Sequence, residues 1–272
     1  MENSTANKDQ LDDMLPCKFW QEALDEHGWI MRKPTKVSPK VFYPILPSMF
    51  LDAMNYSQSR FYAYSNGDIL FDKSLIETLA YLHKAVGSQK NILAVGQRIN
   101  YAAKPRQSIK SIEKINKISK NGMYYTHFGM DYFITMADGY PWADVPDIIV
   151  GTIRYDNWIL VHGLEESQVV IDITPTTTCV HQTGNDGNKA SFNTEATNYN
   201  SDNIFGKFEF LLGTVRCGTL ILTSEYKLIN RYTSCKKQLP TCSNFYKYHC
   251  LRRLDKFNMT PADLSSDDFY SD

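Results

Sequence analysis

The sequence predicts an α/β fold with a mostly parallel central sheet, helices on both faces and a smaller C-terminal extension. Short apolar runs typical of buried strands alternate with segments of helical periodicity across residues 41–182, which is the pattern of βαβ units. The chain has 272 residues, of which 43% are hydrophobic and 22% are charged, so it can build a core without disulfide or metal staples. Its six cysteines are too sparse for a disulfide scaffold.

Each predicted strand is a short apolar run bounded by turn residues, and each predicted helix carries apolar residues on one side. Ser74 and Glu77 have the spacing of a capping box, so a helix is predicted to begin at Ser74 and to end near Gly87. Isoleucines at every third position opposite a row of lysines predict an amphipathic helix over 103–120; a phosphate or membrane contact is the alternative interpretation. The predicted strands are 60–64, 69–71, 91–96, 131–135, 147–150, 169–174 and 177–182. Two further helices are predicted, one that begins after residue 44 and one that spans 157–163. β-Structure is predicted over 208–231.

The predicted organisation has four parts. Residues 1–40 form a peripheral segment, 41–205 the α/β domain, 206–258 a β-rich extension and 259–272 a disordered tail. Within the α/β domain, the segment 184–203 is rich in Asn, Gly, Thr and Ser, which predicts a loop or lid.

Charge and hydropathy exclude two classes of partner. Twenty-nine basic and 30 acidic residues give a net charge of −1, which predicts no nucleic-acid partner. No run approaches the ~20 apolar residues of a membrane span, and residues 1–11 lack the features of a signal peptide. As written, the chain is predicted to be soluble and cytoplasmic.

Two polar residues next to predicted strands are candidate metal ligands. Asp68 closes an Asn-Gly-Asp turn directly after a buried strand, where a carboxylate suits a hard divalent cation; a plain turn is the other interpretation. His181 lies at the end of the strand 177–182, where it can bind a borderline metal or make a structural hydrogen bond. Because ligands bind at the carboxyl ends of strands in such sheets, both are predicted to line one crevice.

Two further clusters suit substrate binding and proton transfer. Arg98, with Gln97 beside it, follows the strand 91–96, where a guanidinium can bind a phosphate or pair with a neighbouring carboxylate. Both residues, together with Asn66, are assigned to cofactor binding. Asp156 follows the strand 147–150 and opens a helix, where it can act as a general base or simply cap the helix.

Six motifs in this order resemble a family of A-type glycosyltransferase-like proteins in the nucleotide-diphospho-sugar transferase superfamily. They are YSNGDILF at 64–71, VGQR at 95–98, HFGMDYF at 127–133, GTIRYDNW at 151–158, VID at 170–172 and VHQ at 180–182, and the resemblance covers residues 41–205. It implies a metal-dependent enzyme that transfers a sugar from a nucleoside-diphosphate sugar to a hydroxyl group of a glycan, lipid or protein. The implied cofactor is Mn²⁺ or Mg²⁺.

The resemblance also implies roles for individual residues. Asp68 matches the last carboxylate of the D-x-D motif, which binds the metal on the donor diphosphate, and Asn66 stands where the first aspartate usually stands. His181 matches a histidine that completes the metal shell. Asp156 resembles the acidic residue that opens the acceptor-side helix and serves as the base, and the segment 184–203 would close over the donor.

The sequence departs from this family in two respects. Asn66 carries no charge, and only residues 1–60 precede the strand before Asp68, where two βαβ units of roughly 30 residues each are usual. The alternative is therefore a non-catalytic binding or scaffold protein, and a truncated chain would belong to the Golgi or ER lumen. A zinc module is a third interpretation, although its first spacing is not that of a C-x₂₋₄-C pair; its ligands would be Cys235, Cys242, His249 and Cys250.

Overall fold

The structure, a computed structural model, describes residues 29–86, 91–102, 109, 111–137, 139–152, 155–166, 168–183, 194–200 and 213–230. Five α-helices lie in these ranges: α1 (Leu46–Tyr56), α2 (Ser74–Ala85), α3 (Ile112–Ser119), α4 (Tyr155–Glu165) and α5 (Thr194–Asn200). The strands there are β1 (Phe61–Ser65), β2 (Ile69–Phe71), β3 (Ile92–Val95), β4 (Ile99–Ala102), β5 (Met123–Tyr124), β6 (Tyr132–Met136), β7 (Val169–Asp172), β8 (Cys179–Thr183), β9 (Leu220–Leu222) and β10 (Leu228–Asn230). The predicted α/β class is confirmed.

The larger sheet has six strands in the order β1-β6-β3-β7-β9-β10 and is mixed. β3 pairs in parallel with β7, and β7 with β9, whereas β6 runs antiparallel to both of its neighbours and β10 runs antiparallel to β9. The structure therefore does not show the mostly parallel sheet that was predicted. All five residues of β6 are buried, as in a central parallel strand, so its direction could not be inferred from its composition.

Helices cover both faces of the larger sheet. On one face, α1 and α4 pack with the alternate strand residues Leu93, Val95 and Phe133 in one hydrophobic cluster. On the other face, α2 packs with the residues between them, which include Ile92 and Ala94. This arrangement follows from the period-two alternation of strand side chains, because each face of a strand buried on both sides needs its own helix layer.

The smaller sheet has four strands in the order β2-β8-β4-β5. Its Val180 and Ile99 pack under α3 against Ile115 and Ile118, so the isoleucine stripe of the amphipathic helix does cover a core. The observed helix begins at Ile112, not at the predicted residue 103, and the ranges 103–108 and 110 lie outside the described residues. The hydroxyl of Ser111 accepts a hydrogen bond from the Lys114 amide and so caps the helix at that point.

Two other predicted elements require correction. The segment 147–150 is not a strand, because Ile149 makes only an isolated bridge with Ile45. The side-chain amide of Asn200 holds Ile149 instead: its Oδ1 accepts the Ile149 N–H, and its Nδ2 donates to the Ile149 carbonyl. The segment 184–203, predicted to be a loop or lid, contains helix α5 at Thr194–Asn200, and the rest of it lies outside the described residues. A capping box was also expected at Ser74, but the carboxylate of Asp72 accepts the Ser74 N–H instead.

The predicted boundary at residue 205 lies outside the described residues, as do residues 1–28 and 231–272, which include the zinc-module cysteines. Strands β9 and β10, on the C-terminal side of that boundary, hydrogen-bond into the same sheet as β7. None of the helices in the described ranges has the length and apolar character needed to cross a bilayer.

Candidate functional site

The candidate site lies where the chain crosses from the larger sheet to the smaller one. Three crossovers meet there: 66–68 links β1 to β2, 96–98 links β3 to β4, and 173–178 links β7 to β8. β1, β3 and β7 run in the same direction, so their carboxyl ends lie at one edge of the larger sheet. β6 runs the opposite way, so its first residues lie at that same edge, and the Asn66 N–H donates to the Asp131 carbonyl at 2.9 Å.

The two predicted metal ligands lie together at this junction. Nε2 of His181 is 2.8 Å from Oδ2 of Asp68, although the two residues are 113 positions apart in the sequence. The His181 side chain is 4% exposed, whereas the Asp68 side chain is 58% exposed and faces solvent. Val180 faces the cluster beneath α3, so His181, the next residue in the strand, projects from the opposite face of the smaller sheet.

The contact between Asp68 and His181 has the length of a hydrogen bond between the two side chains. Two ligands at right angles on an ion, each ~2.1 Å from it, are about 3 Å apart, so the same distance is compatible with a shared cation. Among the described residues there is no group of three or more His, Cys, Asp or Glu side chains that could hold a metal. A cation held by Asp68 and His181 would therefore need further ligands from outside such a group.

Asn66 is the centre of a partly buried hydrogen-bond network. Its Oδ1 accepts hydrogen bonds from the hydroxyl groups of Tyr64 and Tyr155, each at 2.9 Å, and its Nδ2 donates to Oδ1 of Asp131 at 2.8 Å. Both phenols must donate, because the amide oxygen has no hydrogen to offer. Burial raises the pKa of Tyr64 to about 12, so this phenol stays protonated. Both the oxygen and the nitrogen of the Asn66 amide are thus engaged in hydrogen bonds within the protein.

Arg98 forms a buried ion pair with Asp131. Its Nη1 lies 2.5 Å from Oδ1 of Asp131, with 6% and 10% of the two side chains exposed. Its Nε donates to Oδ1 of Asn100, and its guanidinium lies 4.2 Å from the centre of the Tyr125 ring. The carboxylate partner considered for Arg98 in the sequence is therefore present, and phosphate binding by this residue stays a prediction.

Gln97 is held at the same crossover by two elements. Its backbone N–H donates to Oγ1 of Thr174, and its side-chain amide donates to the carbonyl of Tyr125, each at 2.9 Å. These bonds tie the β3–β4 crossover to the β7–β8 crossover and to the loop before β6. Gln97 fixes the shape of the site, and its assignment to cofactor binding stays a prediction.

Asp156 opens helix α4 and is half-buried. Its Oδ1 accepts the N–H of Asn157 at 2.9 Å, and its Oδ2 accepts the N–H of Met130 at 3.0 Å. The first bond satisfies one of the backbone N–H groups that lack a partner at the start of α4, and the second ties α4 to the loop before β6. Burial raises the pKa of Asp156 to about 7, a value at which a carboxyl group can exchange protons near neutral pH.

The sequence motifs led to Asp68, His181, Arg98 and Asp156, and the structure brings all four to one junction. Asp131 was missed, although it lies within the HFGMDYF motif at 127–133. The predicted site residues all follow predicted strands, whereas Asp131 precedes β6, and only the antiparallel direction of β6 brings it to the site. An acidic residue directly before a buried strand was the available signal.

The chain matches no protein-family model, no curated protein and no solved structure. Its function must therefore be inferred from the chemistry of the junction itself.

Proposed function

We propose that the protein transfers a sugar from a nucleoside-diphosphate sugar to an acceptor hydroxyl group, with the help of a divalent cation. The observation that carries this proposal is the contact between Asp68 and His181, placed in the same junction as a half-buried carboxyl group, Asp156, whose pKa is about 7. A metal-ligand pair and a proton acceptor are the two protein groups that this reaction requires.

The donor atoms fit Mn²⁺ or Mg²⁺. Asp68 offers an exposed carboxylate and His181 a buried imidazole nitrogen, a mixed oxygen and nitrogen pair that suits Mn²⁺ better than Mg²⁺. When bound there, the cation would neutralise the negative charge on the diphosphate leaving group. Because His181 lies in the middle of a paired strand, it provides a fixed position, and the exposed Asp68 can adjust to the ion.

Asp156 would accept the proton of the acceptor hydroxyl group. A pKa of about 7 leaves a large fraction of this carboxyl group ionised at neutral pH and still makes it more basic than an ordinary aspartate. Both of its oxygens are held by backbone N–H groups, so its position is fixed by the start of α4 and by the loop before β6.

The second candidate function is that of a non-catalytic binding protein. It is favoured by Asn66, which stands at the first position of the D-x-D-like motif but directs its amide oxygen to two tyrosine hydroxyl groups. With Asn66 engaged in this way, the described residues present only two metal ligands. This candidate predicts no Mn²⁺-dependent binding of a nucleoside diphosphate.

A thermal-shift experiment tests the proposed function. Mn²⁺ and either UDP or GDP would be added to the full chain singly and together; a ligand at a hundred times its Kd stabilises by about 2.7 kcal/mol, or roughly 5–10 °C for a chain of this length. We expect a shift only when both are present, and its loss in Asp68→Asn and in His181→Gln. Asp144→Asn, the same change at an exposed carboxylate, is the matched control and should behave like wild type.

Transfer itself is tested by the release of nucleoside diphosphate from nucleotide sugars. We expect Mn²⁺-dependent release from at least one UDP- or GDP-sugar, and a loss of about 10²–10⁴-fold in Asp156→Asn with nucleotide binding retained. Nucleotide binding with no release under any condition would contradict sugar transfer, although Mn²⁺-dependent binding would also count against the non-catalytic candidate. Absence of Mn²⁺-dependent nucleotide binding in a folded chain would contradict the proposed function and favour the non-catalytic candidate.

A further inference from the structure

The two oxygens of Asp131 have different surroundings. Oδ1 accepts hydrogen bonds from Nη1 of Arg98 and from Nδ2 of Asn66. Oδ2 is buried and has no hydrogen-bond partner in the part of the chain that the structure describes. The carboxyl group is therefore held in one orientation by two donors, while its second oxygen is left with its acceptor capacity unused.

An unused buried carboxylate oxygen carries a free-energy cost that most native structures avoid. Burial raises the pKa of Asp131, and Arg98 acts in the opposite direction by stabilising the charged form. Because Arg98 supplies a full charge and a hydrogen bond to Oδ1, the group is prepared as an acceptor for one further donor. An unsatisfied buried group of this kind calls for an explanation, and a functional role is one of them.

Asp131 is close to both the candidate metal pair and the candidate base. Its carboxylate interacts electrostatically with both Asp68 and His181. The preceding residue, Met130, donates its N–H to Asp156, and the charge of Asp131 contributes to the raised pKa of Asp156. In sugar transfer, the transferred sugar lies between the leaving diphosphate and the acceptor hydroxyl group, so a residue close to both the metal pair and the base is a candidate to contact it.

We propose that Oδ2 of Asp131 accepts a hydrogen bond from a hydroxyl group of the transferred sugar and makes Asp131 a specificity-determining residue. This inference rests on the proposed function. A third metal ligand is the other use for such an oxygen, but the described residues contain no group of three side chains that could hold a metal. A hydroxyl group is the donor that a sugar supplies, and a site built to bond a hydroxyl group strongly rejects the analogue that lacks it.

The test compares nucleotides with and without their sugar. Isothermal titration in Mn²⁺ would measure Kd for UDP, GDP, UDP-glucose, UDP-galactose, UDP-N-acetylglucosamine and GDP-mannose. We expect at least one sugar to bind about tenfold or more tightly than its parent nucleotide. Asp131→Asn should remove this increment and leave the affinity for the nucleotide itself unchanged, because the amide keeps an acceptor for Arg98 and Asn66 but replaces Oδ2 with a donor.

A second measurement needs no variant. Analogues of the preferred donor, in which each sugar hydroxyl group in turn is replaced by fluorine, would be titrated into the wild-type chain. We expect one position to weaken binding about 10–100-fold, the value of a hydrogen bond to a charged group, and this loss to vanish in Asp131→Asn. Asp72→Asn is the matched control: Asp72 is equally buried but holds the start of α2, so the change should lower the melting temperature without affecting the sugar increment.

The outcomes separate the two proposals. If UDP and GDP fail to bind in Mn²⁺, the proposed function fails and this inference with it. If a sugar increment is present and Asp131→Asn keeps it in a folded protein, the inference is wrong and the proposed function stands. The inference is also overturned if every fluorinated analogue binds like its parent, or if nucleotides bind and no sugar adds affinity.

Discussion

Replacing Asn66 with aspartate (Asn66→Asp) would give the turn before β2 a second carboxylate beside that of Asp68, and we expect the change to destabilise the fold rather than improve metal binding. The amide of Asn66 donates to Oδ1 of Asp131 at 2.8 Å. In Asn66→Asp, that donor becomes a second carboxylate oxygen facing the first. The oxygen facing Tyr64 and Tyr155 remains an acceptor, so those two hydrogen bonds are retained and the loss is confined to one contact.

The size of the effect follows from the distance. Two unit charges 2.8 Å apart in an effective dielectric of ~20 repel by about 6 kcal/mol, and the Arg98 guanidinium on the same Oδ1 offsets part of this repulsion. The folded variant avoids the rest by keeping one proton shared between the two carboxyl groups to a higher pH than in the unfolded chain, where both lose their protons near pH ~4. The folded state thus binds more protons, so stability falls as pH rises above that value, by at most about 1.4 kcal/mol for each pH unit.

Urea unfolding of wild type, Asn66→Asp and Asn55→Asp at several pH values measures this slope. Asn55 is exposed in α1, so the same chemical change there should alter stability by less than about 0.5 kcal/mol at every pH. The reasoning is refuted if Asn66→Asp follows Asn55→Asp between pH 5 and pH 8. It is refuted equally if Asn66→Asp binds Mn²⁺ tenfold more tightly than wild type, since the amide would then stand at a ligand position.

Three further predictions follow from the same contacts. Arg98→Ala should lower the free energy of unfolding in urea by about 3–5 kcal/mol because it leaves the buried carboxylate of Asp131 unpaired. Lys36→Ala removes an exposed ion pair with an N–O distance of 2.6 Å and should cost less than about 1 kcal/mol, so equal costs in the two variants would contradict the account of the buried pair. Asp156 has a folded pKa of about 7, above its unfolded value of about 4, so its ionisation lowers stability as pH rises from about 4 to 7. Asp156→Asn should therefore flatten the curve of stability against pH, and an unchanged curve would argue against the raised pKa. Gly96→Ala should lower the melting temperature because its Cβ would overlap the Tyr132 hydroxyl group, and adding Tyr132→Phe should recover part of the loss; no recovery would place the clash elsewhere.

The sequence was sufficient for the elements whose local pattern is strong. β3, β7 and the helix beginning at Ser74 were predicted to within a few residues, because short apolar runs and the turn residues around them are local signals. The direction of β6 was not predictable in this way. A strand buried on both faces has the same composition in either direction, and its direction depends on contacts with β1 and β3 that are distant in the sequence.

The same distinction applies to the candidate site. Asp68 and His181 were predicted to line one crevice because both were expected at the carboxyl ends of strands in one sheet. The structure places them in contact for a different reason, since His181 lies within β8 of the smaller sheet, where it pairs with Ile69, the residue after Asp68. The role of Asn66 could not be inferred from its position in the motif, because its partners Tyr155 and Asp131 come from other segments of the chain. A motif identifies the residue type at a position, whereas the hydrogen bonds that decide its use are set by the whole fold.

Pulsed electron paramagnetic resonance of Mn²⁺ bound to the full chain with UDP or GDP tests the proposed metal site most directly. If Asp68 and His181 hold the cation on the diphosphate, the spectrum will show hyperfine coupling to an imidazole nitrogen and to phosphorus. The nitrogen coupling will disappear in His181→Gln and remain in Asp144→Asn. Bound Mn²⁺ that shows phosphorus coupling without nitrogen coupling, or nitrogen coupling that persists in His181→Gln, would contradict the assignment of this pair as the metal site.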